Sequence, residues 1–291
     1  MKPAAFSYER ARNVDEAISA LARDPDAKIL AGGQSLVPMM NMRLARPSRL
    51  VDLNGIRELA AIAAAADGGL TLGAMVRHTE LTTSSLVRER APLIAAAAAH
   101  IGHRAIRNRG TLGGSIAHAD PAAELPAVLL ALDATIVVAG PAGRRRFAAG
   151  AFFVGLLTTE LAQDEIVVGV EIPPSPPGWG FAELTRRAGD FAIAGVAGVL
   201  GHDGLARLAG FGVDDRPIRL RGAEAALASG DARAAGAAAA GEAHPADDVH
   251  ASAEYRRHLV SVLTEAVVND ARERLAHAHG GARAASEAAA R

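Results

Sequence analysis

The chain has 291 residues, 50% of them hydrophobic, and a formal net charge of -1, so it can bury two moderate cores and has no field to gather nucleic acid. Cysteine is absent, which excludes disulfides, thiolate nucleophiles and iron–sulfur clusters held by the chain itself, and aromatic residues, at 3%, are too few for base stacking. No apolar run reaches the roughly 20 residues of a membrane span and the charged N-terminus is unlike a signal peptide, so a soluble, cytoplasmic protein without a transmembrane segment is expected.

In chain order, Asn13 followed by Glu16 resembles a capping box, and Val14, Ala17, Ile18 and Leu21 share a face, which predicts a short first helix. "KILA" reads as a buried strand, "GGQS" as a tight loop, "LVPMMNMRL" as a short helix and "RLVDL" as a strand, together a small β-α-β unit. Two apolar segments then flank Asp67-Gly68-Gly69, a hairpin signal. "HTELTTSS" is polar and is assigned no element, and a helix is predicted from about Pro92 to His103.

After a basic cluster and a second glycine pair, Leu125, Leu129 and Leu132 mark a helix and Thr135 to Val138 a strand. The Arg144 to Arg146 run reads as a solvated turn, "DEIVVGVEIP" as a strand, and "PPSPPG" as the linker that ends a first domain of residues 1–175. Beyond it, "WGFAELTRR", "AIAGVAGVLG" and "LARLAGFGV" read as an antiparallel meander. Helices follow, the last from Ser252 to Ala276 with Tyr255, Leu259, Val262, Leu263 and Ala266 on its buried face. A second domain of residues 178–280 and a disordered tail, 281–291, complete the reading.

The chemistry turns on the glycine pairs Gly32-Gly33 and Gly113-Gly114. A loop entering a helix presents unsatisfied N–H groups and partial positive charge to a phosphate, and glycine lets a ligand approach the backbone. Either pair alone suits a structural turn. Together, with Gln34 and Ser35 beside the first and Thr111 and Ser115 beside the second, they suit a diphosphate gripped from two sides. Neither is G-x-G-x-x-G or a P-loop, which disfavours a Rossmann dinucleotide site and an NTPase. His100 and His103 lie one turn apart without a third metal ligand, and His118 with Asp120 lies inside the second glycine motif and more simply shapes that loop.

The stretches "AGGQSLVPMMNMRLARPSRLVDL" and "GHRAIRNRGTLGGSIAHADPAAELPAVLLALDATIVV" resemble the two flavin-binding motifs of the medium subunit of molybdenum hydroxylases of the carbon monoxide dehydrogenase and xanthine dehydrogenase type. "RRAGDFAIAGVA" and "HASAEYRRHLV" resemble that subunit's C-terminal domain. The resemblance implies an α+β protein. Its FAD-binding domain is vanillyl-alcohol-oxidase-like (PCMH-type) with two α/β subdomains, and its C-terminal domain has a three-stranded antiparallel sheet and helices. It implies FAD contacts at Ile29, Leu30, Ala31, Gly32, Gly33, Gln34, Ser35 and Leu36 and at Thr111, Leu112, Gly113, Gly114 and Ser115. The resemblance also implies that Ile101 occupies an apolar position that packs against the flavin, that Glu124 matches an acidic position near the adenosine half, and that Val167 matches a strand residue whose backbone meets the edge of the isoalloxazine ring.

Two departures bear on the site. Relatives often have His where this chain has Gln34, and Lys near Ala182 or Glu183, where this chain has none. With no cysteine, and no histidine in either loop, FAD is expected to be non-covalent. The resemblance further implies a molybdenum-cofactor large subunit and a small subunit with [2Fe-2S] clusters as partners, the chain passing electrons to an external acceptor. Two other readings are a self-contained flavin oxidase or dehydrogenase of the same fold and an adaptor that has lost FAD.

Overall fold

The computed structural model describes residues 2–289. Its first lobe holds β1 (Ser7–Arg10), α1 (Val14–Arg23), β2 (Lys28–Leu30), α2 (Leu36–Asn41) and β3 (Arg49–Asp52), with the strands parallel in the order β1-β3-β2. The Asn13 side chain accepts from the Glu16 amide at 2.8 Å, while the Glu16 carboxylate reaches one residue further back than a capping box requires, to the Arg12 amide at 2.9 Å. Strand β1 is not legible in "SYER", an edge segment with three exposed residues in four.

The second lobe is built on a five-stranded antiparallel sheet, β4-β5-β10-β6-β7. It comprises β4 (Ile62–Ala64), β5 (Leu70–Gly73), β6 (Thr135–Gly140), β7 (Gly143–Ala148) and β10 (Ile166–Ile172), with the two-stranded hairpin β8 (Phe153–Gly155) and β9 (Thr158–Thr159) at its margin. Helices α3 (His78–Thr83), α4 (Ser85–Arg90), α5 (Pro92–His100), α6 (Arg104–Arg107), α7 (Leu112–His118) and α8 (Glu124–Ala131) lie between β5 and β6, and α9 (Ala149–Phe152) follows β7.

Three expectations are corrected here. The "HTELTTSS" stretch is helical, because Leu81 and Val87 reach the core from otherwise polar turns. The helix from Pro92 stops at His100, because Gly102 turns the chain at φ 49. The Arg144 to Arg146 run is the edge strand β7, paired along buried β6, with Arg145 held by Glu165 at 2.7 Å. An edge strand carrying charge discourages pairing with another chain.

The C-terminal part is an antiparallel sheet in the order β11-β12-β13-β14. Its strands are β11 (Gly178–Thr185), β12 (Ala192–Leu200), β13 (Ala206–Phe211) and the two-residue β14 (Ile218–Arg219), one short strand more than the meander expected. Helices α10 (Arg221–Ala226), α11 (Ala232–Glu242) and α12 (Ala253–Ala289) follow, and α12 packs on β11 and β12. Its buried face is offset from the expected one. Leu259 is buried and Leu263 packs against the core as expected, but Arg256, Val260, Thr264, Val267 and Ala271 are also buried, whereas Tyr255 and Val262 are exposed. The Arg256 guanidinium turns the helix, because it donates to the Ile193 and Gly212 carbonyls in the interior. Helical backbone also runs through most of the stretch expected to be a disordered tail, as an alanine-rich sequence favours, and residues 290 and 291 lie outside those described. The main core joins the second lobe to the C-terminal sheet: Leu125 and Leu129 of α8 share it with Ala197, Val199 and Phe211. Each fully buried leucine contributes roughly 2 kcal/mol.

Candidate cofactor site

The two glycine segments meet directly. A β-carbon on Gly32 would stand 2.3 Å from the Arg109 carbonyl oxygen and 2.8 Å from the Gly110 α-carbon, and one on Gly114 would stand 3.8 Å from the Ala31 β-carbon. Side chains staple the contact. Arg77 donates to the Arg109 carbonyl and to Asn54 Oδ1, while Asn54 Nδ2 donates to the Ala31 carbonyl at 3.0 Å. Asp52, 7% exposed, anchors the staple by accepting from the Asn54 amide at 2.8 Å and from the Tyr8 hydroxyl at 2.5 Å. Sequence reasoning missed Asn54, Arg77, Asp52 and Tyr8, because no local pattern links four residues from separate elements.

The loops differ in what they offer a ligand. The amides of Gly32, Gly33, Gln34, Ser35 and Leu36 donate to no acceptor among the described residues. Gly33 holds φ 71 and Ser35 starts α2 without a side-chain cap, so successive N–H groups form an anion-binding concavity. The Gln34 side chain folds back to donate to the Gly32 carbonyl at 3.2 Å. In the second loop the donors are already used. Leu112 donates to Val76 at 3.0 Å, Gly113 to Ala74 at 2.7 Å, Gly114 to Thr111 Oγ1 at 3.1 Å and Ser115 to the Thr111 carbonyl at 3.1 Å.

The expected reason for the glycines changes accordingly. Gly32 is required by Arg109 and Gly110, and Gly113 by Ala74, whose β-carbon would lie 2.5 Å from an added one. Gly33 is required by its backbone conformation. At Gly114 the neighbour is the Thr111 hydroxyl, 2.7 Å from an added β-carbon. The second segment therefore braces the first, and the hydroxyl of Ser115 remains without an internal partner among the described residues.

The remaining expected positions lie on β2, on β10, at the end of α5 and at the start of α8. Ile29 is half-buried and packs with Ala31 in the first lobe's core, beside Leu30 at the end of β2. Val167 is buried next to a bulge in β10; the next residue, Val168, accepts from the Ala74 amide at 3.1 Å, and Ala74 accepts from Gly113. Ile101 caps α5, and its carbonyl accepts from Arg107 at 3.0 Å, which ties the turn to the helix preceding the second loop.

Glu124 begins α8, 7% exposed, and burial pushes its carboxyl up to about 8, with the nearby Glu183 adding to the rise. The Glu183 side chain is 5% exposed and lies 3.2 Å from His100 Nδ1 through Oε1, while its Oε2 has no partner among the described residues. The carboxylate raises the His100 imidazole. His100 is thus engaged by Glu183 and tilted against Phe181 at 5.0 Å, and no group of three potential metal ligands occurs among the described residues. Asp120 accepts from the Ala122 amide at 2.9 Å and shapes the turn after α7.

His78, 5% exposed and unanticipated, packs behind the second loop, its Nδ1 2.8 Å from a β-carbon placed on Gly110. Neither ring nitrogen has a hydrogen-bond partner among the described residues. Burial lowers the imidazole to about 4, against a weak opposing pull from the Thr111 backbone.

Comparison with known proteins covers most of the chain. The family described as the FAD binding domain in molybdopterin dehydrogenase matches residues 4–175, and the CO dehydrogenase flavoprotein C-terminal domain matches residues 179–271. The 6-hydroxypseudooxynicotine dehydrogenase complex subunit alpha of Paenarthrobacter nicotinovorans is 42% identical over 91% of this chain and 94% of its own. Carbon monoxide dehydrogenase from Hydrogenophaga pseudoflava superposes with a TM-score of 0.91 at 37% identity, covering 94% of this chain and 99% of that one. Quinoline 2-oxidoreductase from Pseudomonas putida 86 superposes with a TM-score of 0.89 at 38% identity, covering 94% and 100%. With both of its parts matched and its relatives covered almost end to end, the chain belongs to the FAD-binding medium-subunit family of the molybdopterin dehydrogenases.

Proposed function

We propose that the chain is the FAD-binding electron-transfer subunit of a heterotrimeric molybdenum hydroxylase, composed of an FAD-binding domain over residues 1–175 and a C-terminal domain over residues 178–280. The observation that carries the reading is the row of free amides from Gly32 to Leu36, held in place by the Thr111 to Ser115 segment. Five consecutive N–H groups fit the oxygens of a diphosphate, and the Ser35 and Ser115 hydroxyls fit a ribityl chain or phosphate. Bound FAD supplies an electron carrier that accepts electrons singly and releases them in pairs. The residues around it bind, orient and tune: Ile101 offers an apolar contact, the Val167 backbone the ring edge, and Glu124 a neutral carboxyl at neutral pH.

In this reading substrate is oxidised at a molybdenum cofactor on a large subunit, and a small subunit with [2Fe-2S] clusters relays the electrons. Cytoplasmic location belongs to the same reading; no helix among the described residues is long and apolar enough to cross a membrane. Purification of the chain alone tests the assignment. It is expected to carry a flavin absorbance without iron or molybdenum, and to release FAD into solution on acid denaturation. A colourless chain that takes up no FAD overturns the reading, and colour that stays with the denatured polypeptide overturns non-covalent binding.

A further inference from the structure

Side chains along β11 alternate between two faces. Ala182 and Leu184 pack into the core beneath α12, whereas Trp179 and Phe181 pack into the core shared with the second lobe, and Glu183 falls on the Phe181 face. An acid placed there must find its partner across the seam between the C-terminal sheet and helices α5 and α8. Its Oε1 lies 3.2 Å from His100 Nδ1 at the end of α5, and its Oε2 has no partner among the described residues. The register position opposite on β12 is Gly195, which has no side chain to offer, and the Phe211 ring of β13 fills the space beside that glycine. Phe211 stacks on Phe181 at 5.8 Å, and Phe181 meets the His100 ring at 5.0 Å.

Glu124, at the start of α8, places a second buried carboxyl close to the first. The other charged groups facing the pair offer little relief. Asp120, in the turn after α7, adds negative charge. Arg107, the cation of α6 that faces His100, is committed to the turn after α5 through bonds to the Ile101 and Gly102 carbonyls at 3.0 and 2.6 Å. The arrangement therefore depends on protons. With His100 charged and Glu124 neutral, the seam holds one ion pair and one neutral acid. With both deprotonated, it holds two carboxylates in a desolvated space, and Arg107 is already engaged elsewhere, so the closed seam becomes costly.

We propose that His100, Glu124 and Glu183 form a pH-sensitive clasp, which holds the C-terminal sheet against α5 and α8 while His100 and Glu124 carry their protons and lets the seam open more often once they release them. The clasp is made by this chain's own contacts and does not depend on the electron-transfer reading. Because an apolar core is shared across the seam, opening is a local excursion rather than a separation of the two parts. Burial holds the Glu124 proton up to about 8 in the closed seam, against 4.5 in solvent, and the bond to Glu183 raises His100 above 6.5. Both contributions are therefore fully present at low pH and are lost as pH rises through the closed-state values.

The Gly212 amide reports on the seam, because it reaches from the end of β13 to donate to the Pro121 carbonyl, in the turn after α7, at 2.7 Å. Hydrogen exchange of the full chain, corrected for the pH dependence of intrinsic exchange, gives the opening constant at that amide. Between pH 6 and pH 8 this constant is expected to rise at least tenfold, driven by the proton that Glu124 keeps in the closed seam and loses in the open one. At pH 8 it should exceed the global unfolding constant, taken from a denaturant titration at the same pH, by at least tenfold. Glu124→Gln is expected to lose most of the rise, and Glu124→Gln with Glu183→Gln the rest, both variants keeping the side-chain shapes. A parent without the rise, variants that keep it in full, or a Gly212 opening no larger than global unfolding overturns the clasp.

Discussion

Gly32 and Arg109 are in backbone contact: a β-carbon on Gly32 would lie 2.3 Å from the Arg109 carbonyl oxygen, although 77 positions separate them in the sequence. The first loop keeps its amides free because the second loop takes up the space behind it. In the proposed reading, ligand binding and loop packing are therefore one property.

Gly32→Ala is expected to push the loops apart and to cost about 1–3 kcal/mol of stability by overpacking, with FAD affinity falling in step. Gly33→Ala, whose β-carbon would stand 3.2 Å from the Leu30 and Val37 side chains and oppose φ 71, is expected to cost about 1–2 kcal/mol, mainly through the backbone conformation. Chemical denaturation of both variants checks this. A Gly32→Ala variant as stable as the parent contradicts the contact.

Hydrogen exchange separates the roles of the two loops. Without FAD, the amides of Leu112 to Ser115 should exchange slowly because each has an internal acceptor, while those of Gly32 to Leu36 should exchange fast. On adding FAD the first set should change little and the second should become protected. Protection gained mainly at residues 112–115 reverses the assignment.

What the sequence made legible was whatever a local pattern encodes. The β2-loop-α2 arrangement shows in an apolar run followed by two glycines, and α1 in Asn13 and its spaced apolar residues. Strands β1 and β7 stayed hidden because edge strands keep polar side chains and borrow their order from β3 and β6. The buried face of α12 was only partly read because Arg256 is charged, and its burial follows from the Ile193 carbonyl of β12 and the Gly212 carbonyl just after β13. At the site, the loops were legible as glycine pairs. Their division of labour was not, because it depends on Ala74, Val76 and Arg109 reaching them from elsewhere.

The staple should behave as a unit. Arg77→Met and Asn54→Ala each remove one end of the bridge between the Arg109 and Ala31 carbonyls and are expected to cost about 1–3 kcal/mol. Combined, they should cost less than the sum, with a coupling of at least about 0.5 kcal/mol. Strict additivity indicates that the two side chains act separately.

Stability should form a dome with pH. The folded chain keeps a proton on Glu124 up to about 8, whereas the unfolded carboxyl, near 4.5, has released it, so stability falls as pH rises through that window. His78 acts on the acid side. The unfolded imidazole takes a proton below 6.5 and the folded one only near 4, so stability falls as pH drops through that window. Denaturant titrations from acid to mildly alkaline pH should show Glu124→Gln flattening the alkaline limb and His78→Asn the acid limb. An unchanged alkaline limb in Glu124→Gln contradicts a buried, protonated Glu124.

The most direct measurement is anaerobic mixing of the FAD-loaded chain with its iron–sulfur and molybdenum partners, following flavin absorbance as the complex's substrate is added. The account requires the flavin to bleach only when all three chains are present, and the chain alone to leave substrate unchanged. Flavin that stays oxidised while the complex turns over, or turnover by the chain alone at the rate of the full mixture, contradicts it.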